Sequence, residues 1–206
     1  MLQIYLTRHG QDEDNAKGLL NGQRDTDLTE TGISQARELA LKIRENNIQI
    51  DYIYSSPLRR AFHTAQIADS LLGGTKGVFA SDDLKERDFG IMTGRSKGEI
   101  ETFCSPNLLS TETVLYFLKP EGGETYPELI KRTQRILRFI KFLHFNENVL
   151  VVSHGDTAKM LYASYYNLDW KKTLQMFHVG NADLIMLSEE SPVEETHMLK
   201  MKQYNN

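Results

Sequence analysis

Two stretches near opposite ends of the chain echo each other: Ile4-Tyr5-Leu6-Thr7-Arg8-His9-Gly10 and Leu150-Val151-Val152-Ser153-His154-Gly155. Each passes from apolar residues through a hydroxyl residue to a histidine and a glycine. Imidazole is the side chain best suited to proton or group transfer near neutral pH. A glycine beside it permits a tight turn and a close backbone approach to a ligand. Arg8 adds a fixed cation, and Arg59-Arg60 and the run Asp82-Asp83-Leu84-Lys85-Glu86-Arg87 add further arginines and carboxylates. Arginine forks match the oxygens of a phosphate. Together these residues point to phosphoryl transfer. The chain has no P-loop, no Asp-x-Asp pair directly at the end of its first strand, where Thr7-Arg8-His9-Gly10 stands instead, and no His/Asp cluster at metal-ligand spacing. A protein nucleophile is then needed, and His9 is the best placed. A histidine attacks phosphorus and splits one difficult step into two easier ones. Arg8, an arginine of the Arg59-Arg60 pair and His154 would hold the charge of the transferring group. Glu86 would protonate the leaving oxygen.

These residues need elements that deliver them to one place. Ile4–Leu6, "IDYIYSS", "GVFAS" and "NVLVVS" read as strands, and each is followed by charged or histidine residues. Between them, "LTETGISQARELALKIRENN" sets Ile33, Ala36, Ala40 and Ile43 on one helical face. "SPLRRAFHTAQIADSLLGG" reads as a helix with Ser56 as N-cap, Pro57 at the first position and Gly73 beyond its end. "GETYPELIKRTQRILRFIKFLHF" and "DTAKMLYASYY" supply two more helices, and "NADLIMLS" and "HMLKMK" read as closing strands. The alternation predicts an α/β fold, a three-layer sandwich with a largely parallel sheet flanked by helices. Ligands of such sheets bind just beyond the carboxyl ends of the strands, where all the candidate residues fall. Residues 96–123 lack clean periodicity and are expected to form an irregular cap of short helices over that edge. One domain spanning 1–206 is expected.

Arg59 and Arg60 fall in the first turn of a helix, where the backbone already carries partial positive charge. An anion bound there removes the conflict. The bulk composition, 40% hydrophobic and 25% charged over 206 residues, is that of an ordinary globular domain, and the net charge of -4 argues against nucleic acid as a partner. The lone Cys104 suits a reducing compartment, and no apolar run approaches the length of a membrane span. A cytoplasmic location is expected. Oligomeric state is not legible.

The motifs resemble the histidine phosphatase superfamily, which includes the cofactor-dependent phosphoglycerate mutases. "TRHG" resembles the nucleophile motif, "SSPLRRAFHTA" the second motif, "LKERDFGIMTG" the acid motif and "VVSHG" the last one. Four motifs in order, each at an expected strand end, cover nearly the whole chain. The resemblance implies His9 as nucleophile and Glu86 as general acid. It implies Arg8, Asn15, Arg60 and His154 as phosphate ligands, with Gly22 and Gly155 at the substrate. It also implies that neither a metal nor an organic cofactor is required. The substrate class would be a small phosphorylated metabolite. The segment after Lys97 lacks the basic insertion of the mutases, and "KPEGGETYPELIKR" resembles the phosphatase branches. A phosphatase is therefore expected, with a phosphoglycerate mutase or a catalytically silent interaction module as the alternatives.

Several further expectations concern individual residues. Gln11-Asp12-Glu13-Asp14 brings three carboxylates near the nucleophile, expected to face solvent. Arg24 stands where an aromatic residue is common in the family and is a candidate for a second anionic group. His63, His144, His178 and His197 are expected to be surface or structural histidines, and Cys104 a packing residue. Lys131, Arg132, Arg135, Arg138 and Lys141 are expected to form a solvated helix face. Met160, Met176, Met186, Met198 and Met201 are expected in the core. Phe103, Tyr116 and Phe117 are candidates for shaping substrate choice.

Overall fold

The computed structural model describes residues 1–189, 198–200 and 203. Its centre is a six-stranded sheet ordered β3-β2-β6-β1-β7-β8. The strands are β1 (Gln3–Arg8), β2 (Tyr52–Ser55), β3 (Val78–Ala80), β6 (Asn148–Ser153), β7 (Leu184–Leu187) and β8 (Met198–Leu199). β3, β2, β6 and β1 run parallel, and β7 and β8 complete the far edge antiparallel. A mostly parallel sheet flanked by helices is the expected fold class.

Strand alternation builds the layers. Ile4, Leu6, Val149 and Val151 face α5 (Tyr126–Leu143) and α6 (Gly155–Tyr166), where Ile136, Leu137, Ile140 and Leu161 meet them. Tyr5, Leu150 and Val152 face α2 (Glu30–Glu45) and α3 (Arg59–Leu72). Successive strand residues point to opposite faces, so a continuous apolar run such as Val149–Val152 is what a sheet covered on both sides requires. On α3 the inward residues are Ala61, Ala65 and Ala68, whose small size lets that helix lie close to the sheet and to α2.

Local signals set the helix ends. Thr29 caps α2 by accepting from Gly32 N at 3.1 Å, and Thr125 and Glu128 form a reciprocal capping box on α5. α3 begins two residues later than its sequence predicts. Ser56 does not cap it; its hydroxyl is held by Leu58 N at 3.2 Å and by His154. The region expected as a cap of short helices contains α4 (Ile100–Cys104) and also an antiparallel hairpin, β4 (Leu108–Ser110) with β5 (Leu115–Phe117). Three-residue strands are too short to display a period, which is why the pattern reads as irregular. The remaining helices are α1 (Glu13–Ala16) and α7 (Trp170–Met176).

Met160 is fully buried and Met186 packs against the core, whereas Met176 is 41% exposed. His197, Met201 and the side chain of Met198 lie outside the described residues. No helix among the described residues is long and apolar enough to cross a membrane.

Candidate active site

Register brings the two histidines together. β1 and β6 pair in parallel with Arg8 opposite Ser153, so the next residue of each strand is a histidine at the same sheet edge. The His9 and His154 ring centroids are 5.0 Å apart, and both rings are buried.

His9 Nδ1 lies 2.7 Å from Gly10 O. A carbonyl only accepts, so Nδ1 carries the proton and Nε2 keeps its lone pair. Arg60 Nε donates to that Nε2 at 3.2 Å. Burial, then the charges of Arg60 and Arg8, hold the His9 imidazole neutral well below its ordinary pKa. Burial and the same cations do so for His154. His154 Nε2 lies 2.8 Å from Ser56 Oγ, and its Nδ1 is buried with no hydrogen-bond partner among the described residues. Arg8 Nε is likewise buried and without a hydrogen-bond partner among the described residues. Buried polar atoms are nearly always satisfied. Both nitrogens could hold the oxygens of an anion.

Glu86 is 6% exposed and sits at the N-terminus of α6. Its Oε1 accepts from Arg87 N at 2.9 Å, Thr157 N at 3.2 Å and Thr157 Oγ1 at 3.1 Å, while Oε2 accepts only from Asp156 N at 3.3 Å. Burial and the neighbouring Asp156 charge raise its pKa; the Arg87 N–H bond, Arg60 and Arg8 pull against them. A β-carbon at Gly155 would lie 3.8 Å from Glu86 Oε2 and 3.9 Å from Arg8 Nε, so the acid and the arginine both flank this turn. A cleft with a volume of about 450 Å³ is lined by Arg8, Asn15, Glu86 and Gly155, among others.

Asn15 presents Oδ1 to Arg8 Nη2 at 3.4 Å and to Asn181 Nδ2 at 3.1 Å. Arg60 is fully buried behind His9, its Nη1 and Nη2 held by Arg24 O at 2.6 Å and Gly22 O at 2.8 Å. Gly22, at φ 50°, thus meets the site through its carbonyl on Arg60. Arg59 is the exposed neighbour, its backbone N–H on Asp25 and its guanidinium on Asp27. Arg24 does not line the cleft: its side chain ion-pairs Asp14 at 3.0 Å and lies against Gly94.

The structure corrects the solvent-facing reading of two carboxylates. Asp12 is fully buried and Asp14 nearly so; only Glu13 is exposed. Asp12 receives Asn15 N at 2.7 Å, Thr26 Oγ1 at 3.2 Å and Asn21 Nδ2, and pairs with Arg60 Nε at 3.1 Å. It is the counter-charge that lets Arg60 be buried. Arg132 also departs from the solvated-face expectation: its guanidinium binds the Glu124 carboxylate and the carbonyls of Asp83, Lys85 and Glu86, bracing the loop that carries the acid. Arg87 is buried over the rings of Phe117 and Tyr126 and pairs with Asp156 at 2.8 Å. Asn181, whose Nδ2 donates to His9 O at 2.9 Å, was missed altogether.

Among the aromatic candidates, Tyr116 lines the cleft, Phe117 packs on Phe89, and Phe103 is exposed beneath Arg95. Cys104 is buried in that apolar cluster. His144 is buried on Tyr54 OH at 2.9 Å, His63 pairs with Asp27, and His178 lines the cleft, which no motif signalled.

Comparison with known proteins agrees with this arrangement. The model of the histidine phosphatase superfamily (branch 1) matches residues 4–199. A 2,3-bisphosphoglycerate-dependent phosphoglycerate mutase of Methylobacterium sp. (strain 4-46) is 32% identical over 161 residues, 77% of each chain. A Hydrogenobacter thermophilus protein provisionally named a phosphoserine phosphatase is 33% identical over 193 residues, 92% of this chain and 91% of its own. The crystal structure of Entamoeba histolytica phosphoserine phosphatase in complex with 3-phosphoglyceric acid superposes with a TM-score of 0.72 at 29% identity, covering 90% of both chains. A family match over nearly the whole chain, joined to two buried histidines at adjacent strand ends, leads to one conclusion: this chain belongs to the histidine phosphatase superfamily, branch 1.

Proposed function

We propose that the protein is a phosphomonoesterase that hydrolyses a small phosphorylated metabolite through a phosphohistidine at His9 Nε2. The observation that carries this reading is the fixed tautomer of His9, with Nδ1 bonded to Gly10 O and Nε2 directed at Arg60. A bound phosphoryl group would take over the Arg60 N–H and offer its phosphorus to the freed lone pair. Arg8 Nε, the Asn15 amide and His154 Nδ1 would hold the equatorial oxygens. Ser56 Oγ is already engaged by Leu58 N–H; donating its own proton to His154 Nε2 would leave Nδ1–H as a free donor. In the first step the P–O bond to the leaving group breaks as the N–P bond forms, and the Glu86 proton passes to the leaving oxygen. In the second, water attacks phosphorus and gives a proton to Glu86 as the N–P bond breaks, which returns the lone pair to His9 Nε2 and releases inorganic phosphate.

The mutase reading is supported by the identity to mutase relatives. One assay separates the two. Hydrolysis of p-nitrophenyl phosphate should survive excess EDTA and disappear in His9→Ala. A mutase would instead exchange phosphoglycerate isomers, with dependence on 2,3-bisphosphoglycerate and without phosphate release. Hydrolysis undiminished in His9→Ala would refute the nucleophile.

A further inference from the structure

A buried cation stands in the cleft without a carboxylate. Lys159 is one turn beyond Gly155 on α6, lines the cleft, and is 3% exposed. Its Nζ donates to Tyr116 OH at 2.6 Å and Leu174 O at 2.9 Å, two neutral acceptors for three N–H groups. No carboxylate among the described residues pairs with it. Asp156, the nearest on the same helix, is engaged by Arg87 at 2.8 Å and Tyr126 OH at 3.0 Å. Burial lowers the Lys159 ammonium to about 8, with Asp156 offsetting part of the shift, so most of it is charged at neutral pH. An ammonium removed from water without an opposite charge costs several kcal/mol. An anion entering the cleft would offset that cost.

Position and donor type narrow the anion. Four residues of helix rise separate the Lys159 and Gly155 backbones by about 6 Å along α6, and both residues line the cleft. A short carbon chain can bridge such a gap from the phosphate. The lysine end of the cleft offers an ammonium, a tyrosine hydroxyl and, at the rim, the exposed Lys97. It has no guanidinium fork of the kind that suits a second phosphate; Arg24 is turned away onto Asp14. Since the Tyr116 oxygen already accepts from Lys159, its own proton is free to be donated. Burial raises the pKa of that phenol, which keeps the proton in place.

We infer that Lys159, with the Tyr116 hydroxyl it orients, binds a carboxylate on the leaving-group side of the substrate, so that the site selects phosphomonoesters of small hydroxy acids over those of alcohols lacking the acid. The inference rests on the phosphomonoester reading of the same cleft.

Calorimetric titration of the His9→Ala protein measures selectivity without turnover. Two ligand pairs differ in the acid: O-phosphoserine against phosphoethanolamine, and 3-phosphoglycerate against glycerol 3-phosphate. In each pair the carboxylate should bind at least about tenfold tighter, and the ratio should fall toward one when Lys159→Met is added. Tyr116→Phe should reduce it in part, and serves as the test if the lysine variant does not fold, which its melting curve and its affinity for inorganic phosphate report. Equal affinity within both pairs, or a ratio that persists in both variants, would overturn the inference. Selective binding by a wild type that hydrolyses nothing would overturn the hydrolase reading and leave this one standing. Failure of all four esters to bind would overturn both.

Discussion

Replacing Glu86 by glutamine keeps the shape of the side chain and removes the transferable proton. Three hydrogen bonds converge on Oε1, whereas Oε2 has a single 3.3 Å contact and lies beside Gly155. The proton of the acid form therefore sits on Oε2, toward the cleft. Positioned general acids contribute about 10²- to 10⁴-fold, or roughly 2.7–5.4 kcal/mol at 1.36 kcal/mol per factor of ten. The full amount is expected for an alkyl phosphate, whose alkoxide is a strong base. Nitrophenolate leaves without much help, so the loss on p-nitrophenyl phosphate should be less than about tenfold, well under the general-acid range. The appropriate quantity is kcat/KM, which reports the steps up to phosphoenzyme formation. Because the folded-state pKa of Glu86 is raised, its acid form persists above the ordinary carboxylate range and is lost as pH climbs. Wild-type kcat/KM for the alkyl ester should thus fall on the alkaline side, and Glu86→Gln should abolish that limb. Equal losses on both esters, with the alkaline limb intact, would refute the assignment of Glu86 as proton donor.

Asp12→Ala removes the counter-charge of a fully buried arginine and strands three donors; breaking a buried pair this way costs about 3–5 kcal/mol, measurable by urea unfolding, and a loss under about 1 kcal/mol would mean Arg60 is held by its carbonyl partners alone. Acidification should destabilise the fold in phosphate-free buffer. His9 and His154 have depressed folded pKa values, so below about pH 6.5 the unfolded chain binds protons that the native state does not. Stability should fall by up to about 1.4 kcal/mol per pH unit for each histidine, and His154→Gln should reduce the slope; pH-independent unfolding between pH 6.5 and 5 would contradict neutral burial. Arg24→Ala should leave the ratio of mono- to bisphosphate turnover unchanged, because that side chain pairs with Asp14 outside the cleft; a changed ratio would show that it swings inward.

Much of the site was legible because its pieces are local. A buried strand ending in Thr-Arg-His-Gly announces a residue placed at a sheet edge, and the second His-Gly announces its companion. The parallel sheet followed from alternating strand and helix signals. What escaped was the support. Nothing near Asp12 in the sequence distinguishes it from Glu13: Asp12 N-caps the short α1, and it is buried only because Arg60 arrives from another element. Arg132 reads as one more cation on a basic helix until the loop from Asp83 to Glu86 folds across it. Ser56 resembles a helix cap in isolation, but it serves the histidine of a neighbouring strand.

The sequence by itself determined the chemistry on offer, since side-chain type and strand-end placement are properties of short stretches. Tertiary structure alone decided which charges meet an opposite charge. Arg60 finds Asp12, Arg87 finds Asp156 and Arg24 finds Asp14, while Arg8 Nε and Lys159 find no carboxylate among the described residues. That division depends on distances between residues far apart in the chain. Coulombic and desolvation energies vary steeply over those distances, and composition and spacing do not report them.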